Sequence, residues 1–330
     1  MFTRRAALAA AAGVVASRVT DSWAQPAFPN TSALGQTWST KPIRAIVPFT
    51  AGSASDIVPR TVFEQLSGEL GQSIIVENRS GAGGAIGAAA VARSEPDGYT
   101  ILANSSAHTI VPSLYPNTPY DPARDFAAII PLGNMPNVLV VAPSKGFRSL
   151  QDLVAAAKVR PGSIVYASGG VGSATHFSAE RFRLSAGIEG VHVPFRGAPE
   201  AFTEAMAGRV DFYFGSLTPA LPLIREGKLL ALAVSTPKRA PALPDVPTTL
   251  EEGFVDTAST VWIGMFAPAR TPRAIIDRLH QATLKVLQAT SMKEKLAKLG
   301  VDPMVMTPSE FDEFVRAEIS SNGAVAKYLR

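Results

Sequence analysis

The chain contains Ile46-Val-Pro-Phe-Thr-Ala-Gly-Ser-Ala-Ser-Asp56 and, later, Ile164-Val-Tyr-Ala-Ser-Gly-Gly-Val-Gly-Ser-Ala-Thr-His176, two stretches of the same shape. In each, an apolar run typical of a strand leads through a loop of small residues into a helical pattern. A helix N-terminus reached in this way leaves backbone N–H groups and hydroxyls free to bind an anion, and the helix dipole adds to the attraction. Two such junctions far apart in the chain predict a small anion held between two lobes.

Length and composition favour two globular domains. The chain has 330 residues, of which 46% are hydrophobic and 18% are charged. This length suits two domains better than one, and the composition is far from that of disordered chains. There is no cysteine, so disulfides and thiolate metal ligands are excluded.

The N-terminus predicts export. Thr3-Arg4-Arg5 precedes an apolar run and then Ser22-Trp23-Ala24, which is typical of a cleaved signal peptide over residues 1–24, of the twin-arginine type. A tail rich in Pro, Ser and Thr follows over residues 25–40. The signal contributes +2 of the net charge of +4, so the mature chain lacks the basic excess that nucleic-acid binding requires. We therefore expect a periplasmic protein.

Short β-branched runs alternate with helix-sized segments from Lys41 onward, which predicts an α/β fold with parallel βα units. The predicted strands are 43–49, 73–77, 99–103, 126–132, 138–142, 164–167, 191–195, 210–214, 229–234 and 261–267. Thr271-Pro272 and Thr307-Pro308-Ser309-Glu310 each predict a helix start, the second as a capping box.

Two apolar runs, 137–143 and 260–268, both end in Ala-Pro and are interpreted as paired crossings between lobes. On this interpretation lobe 1 comprises residues 41–138 plus 264–330, and lobe 2 comprises residues 139–263. The hinges would then lie at 138–142 and 260–264. The alternative is that both runs are ordinary core strands of separate domains.

Several kinds of chemistry are disfavoured by the motifs. The four histidines show no metal-ligand spacing, and no Gly-x-Ser-x-Gly elbow or phosphate-loop Gly-Lys-Ser/Thr occurs. Gly81-Ala-Gly-Gly-Ala-Ile-Gly87 departs from the dinucleotide fingerprint and predicts a tightly packed helix start. One catalytic alternative stays open, a hydrolase or transferase built on Ser173 and His176, with Asp56 as a possible third member.

The remaining candidates are small polar residues at strand ends, where ligands bind in open α/β sheets. From the two loops and two further strand ends they are Thr50, Ala51, Gly52, Ser53, Asp56, Ser105, Ser106, Ser168, Gly169, Gly170, Gly172, Ser173, Thr175, Gly215 and Ser216. Asp56 fits a role in capping and orienting the first loop, because its charge would repel an anion.

A set of ordered motifs resembles the Bug family of tripartite tricarboxylate transporter substrate-binding proteins. The motifs are Lys41-Pro-Ile-Arg-Ala-Ile-Val-Pro-Phe49, Val76-Glu-Asn-Arg-Ser-Gly-Ala-Gly-Gly84, Pro96-Asp-Gly-Tyr-Thr100, Tyr120-Asp-Pro122, His192-Val-Pro-Phe-Arg-Gly197 and Pro244-Asp-Val-Pro-Thr248. The chain differs from the usual family pattern at Gly52-Ser53, where paired glycines are common.

The resemblance implies a type II periplasmic-binding-protein fold, with two α/β lobes closing on a small carboxylate. The ligand would be a di- or tricarboxylate, an acidic amino acid or an aromatic acid, held by loops 49–53, 81–84, 104–106, 168–175 and 215–216. This adds Phe49 and Gly83 to the candidate site. The protein would be a monomer without cofactor, metal or enzymatic activity, and its partner would be a membrane permease or, alternatively, a sensory receptor.

Overall fold

Two five-stranded sheets, each with helices on both faces, form the structure, a computed structural model that describes residues 38–115 and 117–326. The strands are β1 (Ile43–Val47), β2 (Ile74–Asn78), β3 (Thr100–Ser105), β4 (Phe126–Met135), β5 (Asn137–Val141), β6 (Ile164–Ser168), β7 (Gly190–Pro194), β8 (Phe212–Ser216), β9 (Leu230–Val234) and β10 (Val261–Pro268). Each predicted strand is confirmed, with its bounds shifted by at most a few residues.

The α-helices of the described residues divide between the two sheets. They are α1 (Ala54–Leu70), α2 (Ala85–Ala92), α3 (Ala107–Leu114), α4 (Leu150–Val159), α5 (Ala174–Ala186), α6 (Ala198–Met206), α7 (Leu217–Arg225), α8 (Arg273–Gln288), α9 (Thr290–Lys298) and α10 (Pro308–Ala326). The capping box at α10 is confirmed, since the Glu310 N–H donates to Thr307 Oγ1 and the Thr307 N–H donates to Glu310 Oε2. At α8 the N-cap is Pro272 rather than Thr271.

The sheets share one plan. The first has the order β2-β1-β3-β10-β4 and the second has the order β7-β6-β8-β5-β9. In each, three neighbouring strands are parallel, and the other two strands complete the sheet through antiparallel pairs. The carboxyl ends of β1 and β3 lie at one edge of the first sheet, and those of β6 and β8 lie at one edge of the second. The candidate loops at 49–53, 104–106, 168–175 and 215–216 lie at these ends, and the candidate loop at 81–84 follows β2.

Alternation along β10 shows how each lobe builds a core on both faces of its sheet. Ile263 and Met265 pack with α1 and α8 on one face, whereas Trp262 and Phe266 pack with Phe311 of α10 on the other. Strands buried on both faces are continuously apolar, unlike the alternating strands of one-sided sheets.

The predicted pairing of the two Ala-Pro runs is wrong. β5 lies between β8 and β9 in the second sheet, whereas β10 lies between β3 and β4 in the first. Both runs are apolar because they are interior strands covered on both faces. The chain instead passes between the sheets at Pro136 and at 257–260, so β10 is a strand of the first sheet and β5 is a strand of the second. The hinge positions predicted at 138–142 and 260–264 fall largely inside hydrogen-bonded strands.

The N-terminal predictions lie mostly outside the described residues, which begin at Trp38. The last part of the predicted tail is anchored on lobe 1, because Trp38 Nε1 donates to the Asp97 carbonyl at 3.0 Å and Ser39 Oγ donates to the Leu70 carbonyl at 3.2 Å. Among the residues that the structure describes, no helix is long and apolar enough to cross a bilayer.

Candidate functional site

The first candidate loop leads from β1 into α1 and is held by Asp56. The Gly52 N–H donates to Asp56 Oδ2 at 3.0 Å, and Arg60 and Asn78 donate to Asp56 Oδ1 at 2.7 and 2.8 Å. Gly52 has φ +81°, in the left-handed region that favours glycine. Asp56 therefore has its carboxylate engaged within the loop, as its predicted orienting role requires.

Two hydroxyls of this loop are buried without a hydrogen-bond partner in the described part of the chain. They belong to Thr50 and to Ser53, the N-cap of α1, whose side chain makes no capping bond. Buried hydroxyls are nearly always hydrogen-bonded, because an unsatisfied one costs about 1 to 3 kcal/mol. Both hydroxyls therefore have hydrogen-bonding capacity that the described residues leave unused.

The second candidate loop leads from β6 into α5 and is ordered by its own hydroxyls. Thr175 Oγ1 accepts from the Gly169 N–H at 2.9 Å, and Ser168 Oγ accepts from the Gly170 N–H at 3.1 Å. Ser173 Oγ donates to the Gly170 carbonyl at 2.7 Å and accepts from the His176 N–H at 3.2 Å. The loop is thus a preformed turn at a helix N-terminus.

A stack of aromatic rings supports the second loop, and sequence reasoning missed it. His192 Nε2 lies 2.7 Å from Ser168 Oγ, and the His192 ring stacks between His176 at 4.3 Å and Tyr166 at 5.1 Å between centroids. Burial, and then the neighbouring His176, lowers the pKa of His192 to about 4. Burial likewise lowers the pKa of His176, so both imidazoles are neutral at pH 7.

The buried carboxylate of Glu180 holds the aromatic stack below the second loop. The Tyr166 hydroxyl donates to Glu180, which also pairs with Arg183 at 2.8 Å. Burial acts to raise the pKa of Glu180, but the bonds from Arg183 and Tyr166 outweigh it and lower that pKa. No spacing rule links these residues in sequence, although the motif around His192 was part of the family resemblance.

The first loop contacts lobe 2 directly. A Cβ built on Gly197 would lie 2.0 Å from Thr50 Oγ1, and a Cβ on Gly52 would lie 3.5 Å from Pro199 Cγ. Residues 197–199 therefore pack against the first loop. Gly197 and Pro199 were not predicted as part of the site.

The glycine-rich loop before α2 also reaches lobe 2. A Cβ on Gly83 would lie 2.8 Å from the Val171 carbonyl oxygen, and the Tyr115 hydroxyl donates to the same carbonyl at 3.2 Å. Gly87 packs so closely on Pro48 that a Cβ would come within 2.8 Å, which agrees with the predicted tightly packed helix start. The structure thus brings the 81–84 loop against the 168–175 loop, and the 49–53 loop against residues 197–199, at the boundary between the lobes.

The predicted site residues at the other two strand ends differ in how their side chains are engaged within the protein. Ser105 Oγ accepts from the Ala107 N–H at 3.4 Å, whereas Ser106 is the N-cap of α3 and lines a cavity that is also lined by residues 258–261. Ser216 Oγ donates to Asn137 Oδ1 at 3.0 Å, so its hydroxyl is engaged within lobe 2. At Gly215 a Cβ would lie 2.4 Å from Phe202, and this glycine is therefore required for packing.

Asn137, at the first crossing, is a buried polar centre that the sequence did not reveal. Its side chain donates to Ser178 Oγ at 2.9 Å and to the Ala174 carbonyl at 3.1 Å. Ser178 Oγ in turn lies 2.9 Å from Ser259 Oγ at the second crossing. Both crossings are consequently tied to the start of α5.

The catalytic alternative is not supported by this geometry. Ser173 Oγ bonds within its own turn, His176 Nδ1 accepts from the Gly172 N–H at 3.4 Å, and Asp56 is engaged in lobe 1. The three side chains form no triad. Within the described ranges, no three His, Cys, Asp or Glu side chains group so as to hold a metal ion.

Comparison with known proteins places this architecture in one family. Residues 58–330 match the family described as TctC, the tripartite tricarboxylate transporter family receptor. Over 293 residues the chain is 34% identical to Protein BugT of Bordetella pertussis, covering 88% of this chain and 90% of BugT.

Solved structures of similar proteins superpose closely on this chain. R. palustris Rpa4515, solved with adipate, superposes with a TM-score of 0.85 at 34% identity, covering 88% of this chain and 98% of that one. MatC from Rhodopseudomonas palustris, solved with bound malate, gives 0.83 at 29% identity over 88% and 100% of the two chains. The periplasmic binding protein BugD gives 0.84 at 30% identity over 88% and 98%.

These matches confirm the predicted periplasmic-binding-protein fold and the resemblance to Bug proteins, and the family and its relatives are binding proteins. The chain belongs to the TctC family of tripartite tricarboxylate transporter receptors and is a solute-binding protein of that family.

Proposed function

We propose that this protein captures a small organic dicarboxylate in the cleft between its lobes, in the periplasm, and delivers it to the membrane subunits of a tripartite tricarboxylate transporter. The observation that carries the proposal is the pair of buried, unpartnered hydroxyls at Thr50 and Ser53. They stand at a helix N-terminus, which favours an anion, and they belong to a loop that touches lobe 2.

The ligand class follows from the groups in the cleft. Hydroxyls and backbone N–H groups of the 49–53 and 168–175 loops suit a carboxylate, which accepts hydrogen bonds and donates none when ionised. Loops on both lobes suit a ligand with an acid group at each end. The adipate and malate in the related structures are both dicarboxylates.

The alternative that the protein is a hydrolase or transferase has less support, because the hydroxyls of the second loop are engaged in hydrogen bonds within the loop. Ser173 acts there as the N-cap of α5. Preformed loops of this kind recognise an anion without reorganising, which favours capture and release. Closure of the lobes about Pro136 and 257–260 would retain the ligand.

The test is calorimetric titration of the mature protein with a panel of organic acids, adipate and malate included. Removing each hydroxyl, by Thr50→Val and Ser53→Ala, should weaken the best ligand by about 10- to 100-fold, since a hydrogen bond to a charged group contributes about 1.5 to 3 kcal/mol. Ser309→Ala, at an exposed site on α10, is the matched control.

Unchanged affinity in both loop variants would exclude the first loop from the site. Turnover of a bound acid, abolished by Ser173→Ala, would instead support the enzymatic alternative.

A further inference from the structure

A separate cavity of about 390 Å³ lies beside the hinge. Lobe 1 contributes residues of α3 and α10, lobe 2 contributes residues of α5, and the second crossing closes one side. Its lining includes Phe177, Arg181, Ser259, Trp262, Phe314 and Glu318. The volume falls within the range of about 300 to 1,000 Å³ found for small-molecule sites.

This cavity is distinct from the carboxylate cleft. No residue of the 49–53 or 81–84 loops lines it, and it meets the proposed site only at Ser106 of the 104–106 loop and Ala174 of the 168–175 loop, at the starts of α3 and α5. A ligand could therefore occupy the cavity while the cleft holds another.

Two opposite charges face this cavity from opposite lobes. Arg181 on α5 is half-buried, and its Nε donates to the Asp256 carbonyl at 2.9 Å. Glu318 on α10 is also half-buried and accepts weakly from Trp262 Nε1 at 3.5 Å. Neither side chain forms an ion pair within 4 Å in the part of the chain that the structure describes. Each charge thus has hydrogen-bonding capacity left for a ligand.

Aromatic rings supply the apolar part of the lining. Trp262 and Phe314 pack at 5.9 Å between ring centroids on the lobe 1 side. On the lobe 2 side the Arg181 guanidinium lies 5.5 Å from the centroid of Phe177, a cation–π distance that holds it in place. Such a combination of one cation, one anion and aromatic walls matches a zwitterion with an apolar side chain.

We propose that this hinge cavity is a second small-molecule site that takes an α-amino acid with an apolar side chain. The ligand carboxylate pairs with Arg181, its ammonium pairs with Glu318, and its side chain packs against Trp262 and Phe314. Because the two charges belong to different lobes, a ligand bound here links the lobes and couples to carboxylate binding in the cleft.

The test uses L-phenylalanine as the probe, with 3-phenylpropanoate and phenethylamine as matched analogues that lack the ammonium and the carboxylate respectively. We expect saturable binding of L-phenylalanine by the full mature protein, at least tenfold weaker binding of both analogues, and the same loss in Arg181→Gln and Glu318→Gln. Glu313→Gln, at an exposed position of α10, is the control and should bind as the wild type does.

Adipate should bind the Arg181→Gln and Glu318→Gln variants as it binds the wild type, because neither Arg181 nor Glu318 lies in the cleft. This titration therefore separates the proposal from the carboxylate function. Three results would overturn the proposal: no binding of L-phenylalanine at millimolar concentration, equal binding in both charge variants, or competition in which adipate simply displaces L-phenylalanine.

Discussion

Thr50 of lobe 1 and Gly197 of lobe 2 approach so closely that a Cβ on the glycine would lie 2.0 Å from Thr50 Oγ1. Gly197 has an extended backbone with φ 175°, which any residue adopts. The glycine is therefore required by the neighbouring lobe and not by its own conformation. The first candidate loop, which contains Thr50, therefore also forms a contact between the two lobes.

Replacing Gly197 by alanine should hold the lobes apart and weaken carboxylate binding by about tenfold or more, about 1.4 kcal/mol. Thermal stability should change little, because the contact lies between lobes and not within a core. Calorimetry measures the affinity. Gly68→Ala, where no atom lies within 4 Å of the added Cβ, is the control. Recovery of affinity in the double variant with Thr50→Ala would identify the clash as the cause, whereas wild-type affinity in Gly197→Ala alone would contradict the closed contact.

Replacing Asp56 by asparagine distinguishes an orienting residue from a direct ligand contact. The variant loses charge-assisted bonds to Gly52 and Arg60, so the free energy of unfolding should fall by about 1 to 3 kcal/mol and the affinity for dicarboxylates should fall with it. Urea denaturation and calorimetry measure the two effects. An increased affinity would show instead that the Asp56 charge faces the bound anion and repels it.

Lowering the pH should destabilise the protein through its stacked histidines. The pKa of His192 is lowered to about 4 by burial and by His176, and unfolded histidine has an ordinary pKa near 6.5. The unfolded chain therefore binds more protons between these values, so stability is full above about pH 6.5 and falls as the pH drops toward 4. His192→Gln should reduce this slope in urea midpoints measured from pH 7.5 to 4.5. A slope identical to that of the wild type would show that His192 does not contribute.

Removing one acid group from the ligand should reveal whether both lobes hold it. Hexanoate has the chain length of adipate with one carboxylate, and we expect it to bind at least about tenfold more weakly, since one charge-assisted interaction is lost. Parallel calorimetric titrations measure the ratio. Equal affinities would mean that only one end of the acid is recognised.

Local pattern predicted much of this fold. Each strand was found because β-branched runs and small-residue loops are local signals, and the capping box at Thr307 is equally local. The predicted pairing of β5 with β10 was wrong for a physical reason: both strands are buried on two faces, so their sequences look alike although they belong to different sheets.

The candidate site was predicted as separate loops, and the contacts between those loops were not predicted. Gly52, Ser53 and the 168–175 turn were candidates because they lie beyond the carboxyl ends of strands, where ligands bind in open α/β sheets. The contacts of His192 with Ser168, and of Gly197 with Thr50, join residues distant in the chain. No residue type or spacing encodes such partners, so they become visible only in three dimensions.

Capture of a dicarboxylate between the lobes is tested most directly by a crystal structure of the mature protein with a dicarboxylate that binds it, such as adipate. We expect a closed cleft with one carboxylate within hydrogen-bonding distance of Thr50 Oγ1 or Ser53 Oγ, directly or through one water, and contacts to the 168–175 loop. A dicarboxylate bound elsewhere, with those two hydroxyls making no contact to it, would overturn the proposed function.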